Sequence, residues 1–259
     1  MNTNIKENII ISGGGTGGHL FPALSICESK IKKYNFIYIG SIFGIESEYS
    51  KFPKEWTIHL LDIKGIYRGK NIRTLFKNIT LPYRFLKSYL KAKSIIQSTN
   101  PKVIIGTGGY SSGIPLLVGV RLGIPTIIQE QNSIPGLVTK KLHSKVNKIC
   151  SAYKKSYEII NTNNIVLTGN PISKKIKRID KNKAKDKLKI YQNNKVILFL
   201  GGSQGASPIN KHLVSNIEFY IDNQYQVILQ CGTKNFNDIP LHIKNNKQFM
   251  IKSFFNDLS

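Results

Sequence analysis

The sequence predicts an α/β fold built on parallel sheets, in two successive units of the same design. Three observations carry this. Short runs rich in Ile and Val alternate with longer segments of helical periodicity. Several of these runs end in glycine clusters that open the next helix. The opening pattern of strand, glycine turn and helix then returns at Val196.

Taken in order, strands are expected at 9–11, 36–39, 58–61, 103–105, 125–128, 148–150 and 165–167. Helices are expected at 23–31, from the glycines at 106–109 through Leu116 and Val120, and near 137–142. The turn Gly169-Asn170-Pro171 closes this half. A lysine-rich stretch at 174–189, helical toward its end, leads to further strands at 196–200, 227–229 and 249–251. The expected organisation is a first domain over 1–168, a linker or surface element over 169–194, and the start of a second domain over 195–259. A doubly wound domain needs about five or six strands, so three strands after Val196 predict an incomplete second domain.

The chain carries a formal net charge of +24, but only five of its 38 basic residues are arginine. Arginine is the usual bidentate reader of bases and phosphates. The lysines lie among many Asn and Ile residues, with no zinc-finger spacing and no recognition helix, so nucleic acid is not expected as a partner. Cys27, Cys150 and Cys231 are far apart, an odd number that fits neither a disulfide framework nor a metal site. The N-terminus runs directly into the first strand without a leader pattern, and no apolar run approaches the ~20 residues of a membrane span. Membrane contact is therefore expected to be peripheral. Its candidate lies at 68–93. Ile72, Leu75, Phe76 and Ile79 share one helical face, and Phe85, Leu86, Tyr89 and Leu90 another after Pro82, among Arg73, Lys77, Arg84, Lys87, Lys91 and Lys93. Two readings stand: a basic amphipathic surface for anionic lipid, or two ordinary packed helices.

The stretch SGGGTGGHLFP, residues 12–22, is the first glycine turn. Missing side chains let backbone N–H groups approach a ligand, and the turn feeds a helix N-terminus that favours anions. It lacks the Gly-Lys-Ser/Thr of a Walker loop, and Glu46 is only a weak ribose reader for a dinucleotide. His19 sits at the helix entrance, where a neutral imidazole can take a proton from a hydroxyl; a plain helix cap is the alternative. A second glycine turn, 106–113, offers the hydroxyls of Thr107, Ser111 and Ser112 to a diphosphate or sugar. Gln129-Glu130-Gln131-Asn132 marks the rim of a sheet, where a carboxylate with flanking amides can read sugar hydroxyls. A further turn at 201–205 presents Ser203 and Gln204 to an anion or nucleotide.

Five blocks in order, GGGTGGHLFPAL, GTGGYSSG, GIPTIIQEQNSIPGL, LTGNPI and FLGGSQGASPIN, resemble the UDP-N-acetylglucosamine:N-acetylmuramyl-(pentapeptide) pyrophosphoryl-undecaprenol N-acetylglucosamine transferases of bacterial cell-wall synthesis. FFNDL near the end fits as well. The resemblance implies a glycosyltransferase B fold of two Rossmann-like domains facing a cleft, the second incomplete here. The first would receive a lipid-linked acceptor at the cytoplasmic face of the inner membrane, and the second would bind UDP-N-acetylglucosamine. The implied reaction is inverting transfer of N-acetylglucosamine to the 4-hydroxyl of undecaprenyl-pyrophosphoryl-N-acetylmuramoyl-pentapeptide.

By the same implication His19 is the general base, with Glu130 beside it in the catalytic set. Thr16, Gly17 and Gly18 contact the donor side, while Tyr110, Glu130 and Asn132 belong to the acceptor-side loops, Asn132 also reaching the donor. Ser203 and Gln204 contact the donor, and Phe255 lies beside the uracil. Ile72, Leu75, Phe76 and Ile79 become the contact with an anionic phospholipid surface. No cofactor or metal is expected, because glycine-turn N–H groups and a helix N-terminus can stabilise the departing diphosphate. Three departures stand out. Gln129 replaces the family's usual histidine, Ser173 replaces an arginine, and the family pattern continues for about 100 residues beyond this sequence. Two alternatives follow: another nucleotide-sugar transferase of the same fold, or a non-catalytic protein that binds only membrane or acceptor.

Overall fold

The computed structural model describes residues 6–66, 76, 78–174, 176–190, 195–202 and 205–255. The chain divides into two compact units, Met1–Lys174 and Lys175–Ser259.

The first unit holds a parallel sheet of seven strands: β1 (Asn8–Ser12), β2 (Asn35–Ser41), β3 (Thr57–Leu61), β4 (Val103–Gly106), β5 (Thr126–Glu130), β6 (Lys148–Ser151) and β7 (Ile165–Leu167). Their order is β3-β2-β1-β4-β5-β6-β7, so the chain winds outward through β2 and β3, then returns to the other side of β1. Ser12 pairs with Gly106 across that reversal. The crevice beyond the carboxyl ends of β1 and β4 is therefore the switch point where such sheets bind ligands.

The run Ile9-Ile10-Ile11 shows why β1 is central. Strand side chains alternate between faces, so Ile10 joins one core with Ile39, Ile104 and Leu116. Ile9 and Ile11 join the other, with Leu20, Leu24 and Trp56. Full burial of each isoleucine contributes about 1.5–3 kcal/mol relative to exposure. The crossovers are α1 (Gly17–Glu28), α2 (Leu81–Thr99), α3 (Gly109–Arg121), α4 (Leu137–Leu142) and α5 (Lys155–Ile160).

Helix α1 begins six residues before the expected 23, because glycine and proline weigh against helix in the sequence. It takes Gly17, Gly18 and His19 into its first turn behind the extended Thr16. Pro82 does not divide α2 but sits in its first turn, where a missing N–H costs nothing.

The second unit begins with α6 (Lys181–Leu188), capped by the Asp180 side chain, which accepts from the N–H groups of Asn182 and Lys183. Its strands β8 (Val196–Leu200), β9 (Gln226–Gln230) and β10 (Phe249–Lys252) form a parallel sheet in the order β10-β9-β8. Helices α7 (Ser207–Ser215), α8 (Ile217–Asp222) and α9 (Leu241–Asn245) supply Leu213, Tyr220 and Ile243 to a core with Val227, Leu229 and Phe249.

Candidate active site

The glycine turns after β1 and β4 meet at the switch point. A Cβ at Gly109, held at φ +74°, would collide with the Gly14 carbonyl. The two backbones touch there, and a side chain would separate them. The Thr107 hydroxyl donates to the His19 carbonyl at 2.7 Å, tying the second turn to α1.

His19 projects from the first turn of α1 with Nδ1 3.2 Å from the Thr107 carbonyl. Burial lowers its pKa from the ordinary 6.5, opposed by the Thr107 carbonyl and the Glu130 and Glu46 charges. The imidazole is therefore neutral at pH 7. Thr16, Gly17 and Gly18 form the same turn, with Thr16 and Gly18 exposed and Gly17 buried.

Several groups expected to face a ligand are occupied within the protein. The Gly15 N–H donates to the buried Glu46 carboxylate at 2.7 Å, and Glu46 also accepts from Ser41 N at 2.9 Å. A residue weak as a ribose reader is thus the internal ligand of the glycine turn. The Thr107 and Ser112 hydroxyls donate to backbone carbonyls, and Thr107, Ser111 and Ser112 are fully buried. They are part of the packing, which corrects the expectation that they bind substrate oxygens.

Glu130, at the end of β5, is also buried. Its Oε1 accepts from Asn132 N at 3.0 Å and Asn132 Nδ2 at 2.9 Å. Its Oε2 accepts from Gly136 N at 2.9 Å and Thr139 Oγ1 at 2.5 Å. Four donors fill the acceptor positions of a carboxylate, so Glu130 shapes the 131–136 loop and sets the direction of Asn132. Gln131 was read from the sequence as one of the amides flanking Glu130, facing sugar hydroxyls, yet its Nε2 lies 2.7 Å from both the Gly18 and Thr107 carbonyls and 2.5 Å from His19 Nδ1. Only its place beside Glu130 signalled it. Gln129 is buried and donates to Asn170 Oδ1 at 3.2 Å. Ser173 donates to Glu28 at 2.8 Å.

His19, Glu130 and Asn132, but not Thr16, Gly17 or Gly18, border a cavity of about 780 Å³ within the first unit. His19, Gly108, Gly109, Tyr110, Glu130 and Asn132 line one part, and residues 136–139 another. Its remaining wall comes from residues 63–66, Asn78 and the start of α2, including Arg84 and Phe85. The cavity therefore joins a proton acceptor and amide groups to a largely apolar wall.

Next to that wall, Phe76 and Ile79 are each 66% exposed, and Tyr83, Leu86 and Leu90 are exposed as well. Helix α2 buries Ser88, Ala92, Ile95 and Ile96 instead. Ile72 and Leu75 lie outside the described residues, as do Ser203 and Gln204. In the second unit, the Gln230 side chain donates to the Gly202 carbonyl and accepts from Phe255 N, both at 2.9 Å, which brings Phe255 to the glycine turn after β8. Among the described residues no three His, Cys, Asp or Glu side chains converge as a metal site.

Residues 9–151 match the glycosyltransferase family 28 N-terminal domain, and residues 196–259 match the glycosyltransferase family 28 C-terminal domain. The chain belongs to glycosyltransferase family 28. This is a family of enzymes, and several of its curated members are named UDP-N-acetylglucosamine--N-acetylmuramyl-(pentapeptide) pyrophosphoryl-undecaprenol N-acetylglucosamine transferase. The one from Flavobacterium psychrophilum is 38% identical over 252 residues, covering 95% of this chain and 67% of its own length. Those from Christiangramia forsetii and Bacillus cytotoxicus are each 34% identical, covering 89% and 96% of this chain and 63% and 69% of their own. The family 28 chain here thus spans about two thirds of the length of the curated relatives it matches. Among solved structures, MurG of Acinetobacter baumannii superposes with a TM-score of 0.63 at 22% identity, covering 97% of this chain and 68% of that one. UDP-GlcNAc 2-epimerase of Methanocaldococcus jannaschii gives 0.57 at 16%, covering 98% and 74%. These likenesses establish the two α/β units as the glycosyltransferase B type. Among the described residues no helix is long and apolar enough to cross a membrane.

Proposed function

We propose that this family 28 chain transfers N-acetylglucosamine from UDP-N-acetylglucosamine to the muramoyl 4-hydroxyl of undecaprenyl-pyrophosphoryl-N-acetylmuramoyl-pentapeptide, with inversion. The observation that carries the reading is the position of His19: a neutral imidazole bordering a cavity whose other wall adjoins an exposed apolar surface. A sugar on a lipid pyrophosphate needs both features, a base for its hydroxyl and a place for its lipid.

In the reaction, His19 Nε2 takes the proton of the acceptor 4-hydroxyl. The oxygen attacks C1 of N-acetylglucosamine opposite the diphosphate, and a new C–O bond forms as the bond to UDP breaks. UDP leaves with the bonding electron pair. Asn132, aimed by Glu130, and Tyr110 are suited to hold the acceptor sugar. The N-terminus of α1 favours the negative charge that develops. Thr16, Gly17, Gly18, Ser203, Gln204 and Phe255 are assigned to the donor.

Phe76, Ile79 and the outward face of α2 are assigned to the cytoplasmic surface of the inner membrane, as peripheral contacts. The reading is tested by incubating the protein with muramyl-pyrophosphoryl lipid and either labelled UDP-N-acetylglucosamine or UDP-glucose. A β-linked disaccharide lipid from the first donor alone is expected. Equal use of both donors, or binding of the lipid acceptor without any transfer, contradicts it.

A further inference from the structure

Contacts along the cavity wall run in a definite order. Tyr110 lines the cavity with His19, and the backbone of Gly65 lies against the Tyr110 ring, where a Cβ would stand 3.1 Å from Cδ1. Lys64 precedes Gly65, and its Nζ lies 4.9 Å from the centre of the Phe43 ring. The Arg84 guanidinium lies 5.3 Å from the same centre. Phe85 follows Arg84 in the wall, and Leu86 beyond it belongs to the exposed apolar face. From the base outward, the wall passes from an aromatic ring through two cations to apolar side chains.

Both cations are built into this wall. Ile63, beside Lys64, is buried in the core, and its carbonyl accepts from the Ser41 hydroxyl at 2.6 Å. Arg84 Nη1 donates to the Asp62 carboxylate, and Nε donates to Thr80 Oγ1 at 3.3 Å. An arginine presents its donors as a planar fork. These contacts and the Phe43 ring therefore fix its plane, and among the described residues Nη2 is left for an oxygen of a ligand. Two like charges against one ring repel each other. Asp62 balances one of them, and a bound anion would balance the other. Glu130, the carboxylate that lines the cavity among the described residues, has both oxygens taken by internal donors, so the charge offered to a ligand is positive.

We propose that Lys64 and Arg84 bind the pyrophosphate of the lipid-linked acceptor, between its sugar at His19 and its lipid at α2. The order of the wall matches the order of such a molecule: a sugar, a pyrophosphate bearing negative charge, then an isoprenoid chain. The proposal deepens the reading of the acceptor given above and rests on it for its catalytic meaning. Its test measures binding without turnover, so the two fail separately. Headgroup phosphates of an anionic membrane share part of this chemistry, and the test separates the two sources.

The test is calorimetric titration of the full chain with farnesyl pyrophosphate, for the wild type, Arg84→Gln and Lys64→Gln. Each variant is expected to bind it about tenfold more weakly, the loss of one charge-assisted contact. A short-chain alkyl muramoyl glycoside without pyrophosphate is expected to bind all three proteins equally. Fluorescence of Trp56, the chain's one tryptophan and part of the first unit's core, confirms folding. Lys64→Gln keeps the Arg84–Asp62 pair, so it carries the test if Arg84→Gln does not fold. Farnesyl pyrophosphate binding that is absent from the wild type, or unchanged in the folded variants, overturns the proposal. An equal loss for the glycoside overturns it too, because the substitutions would then have damaged the wall. Weaker binding to phosphatidylglycerol vesicles with unchanged farnesyl pyrophosphate binding would assign the cations to lipid headgroups instead. Pyrophosphate binding through both cations in a protein that transfers no sugar would overturn the functional reading alone.

Discussion

The buried carboxylate of Glu46 holds the N–H of Gly15 at 2.7 Å, so the first glycine turn is fastened from inside the protein. A Cβ at Gly14 or Gly44 would collide with that carboxylate. Two glycines are therefore required by an internal ligand, whatever the substrate contributes. Replacing one oxygen by an NH₂ group in Glu46→Gln turns a donor toward an N–H. The variant is expected to destabilise the first unit by about 1–3 kcal/mol, read as a lower urea midpoint of Trp56 fluorescence. An unchanged midpoint would show that the turn stands without Glu46.

Glu130 does the same work for the loop after β5. Glu130→Gln keeps the volume but sets an NH₂ group against one pair of its four donors. The expected result is a loss of about 1–3 kcal/mol in stability together with weaker acceptor binding, because Asn132 loses its fixed direction. Thr139→Val removes one donor and is expected to cost less, about 1 kcal/mol. Calorimetric titration with a short-chain acceptor, beside urea unfolding, checks both.

The lowered His19 pKa fixes the sign of a pH effect. As pH falls through about 6.5 the unfolded chain takes up a proton at this histidine, while the folded chain does so only at lower pH. The unfolded state then binds more protons, so stability falls with falling pH across that window. His59, also lowered by burial, acts in the same direction. Urea unfolding between pH 7.5 and 5 is expected to show a smaller decline in His19→Gln than in the wild type. An equal decline would mean that the imidazole is not held neutral by the fold.

The exposed face of α2 predicts vesicle binding. Leu86 and Leu90 are each 57% exposed, opposite the buried Ala92 and Ile96. Changing both to serine is expected to leave the Trp56 unfolding midpoint in place. Binding to vesicles of phosphatidylglycerol and phosphatidylethanolamine should weaken about tenfold, from the lost apolar burial. Undiminished binding would assign the membrane contact to another surface.

Much of this was legible in the sequence, for physical reasons. The ten strands of the described residues fall on the chosen runs, and the central ones, β1 and β2 among them, are buried runs rich in Ile. His19 and the two glycine turns were found because strand, glycine and helix follow one another along the chain. Partnerships between distant segments were not legible. Glu46 reaches Gly15 across 31 residues and Gln131 reaches Gly18 across 113, through bonds that leave no local periodicity. Thr107 and Ser112 were misjudged for the same reason: a hydroxyl in a glycine turn reads alike whether it faces substrate or a neighbouring carbonyl.

The most direct test of the account is the rate of transfer from UDP-N-acetylglucosamine to the muramyl-pyrophosphoryl lipid by wild-type protein and His19→Ala, with folding confirmed by Trp56 fluorescence. A general base contributes about 10²–10⁴-fold, and His19→Ala is expected to lose that much activity with acceptor binding retained. A folded His19→Ala that transfers sugar as fast as the wild type would contradict it.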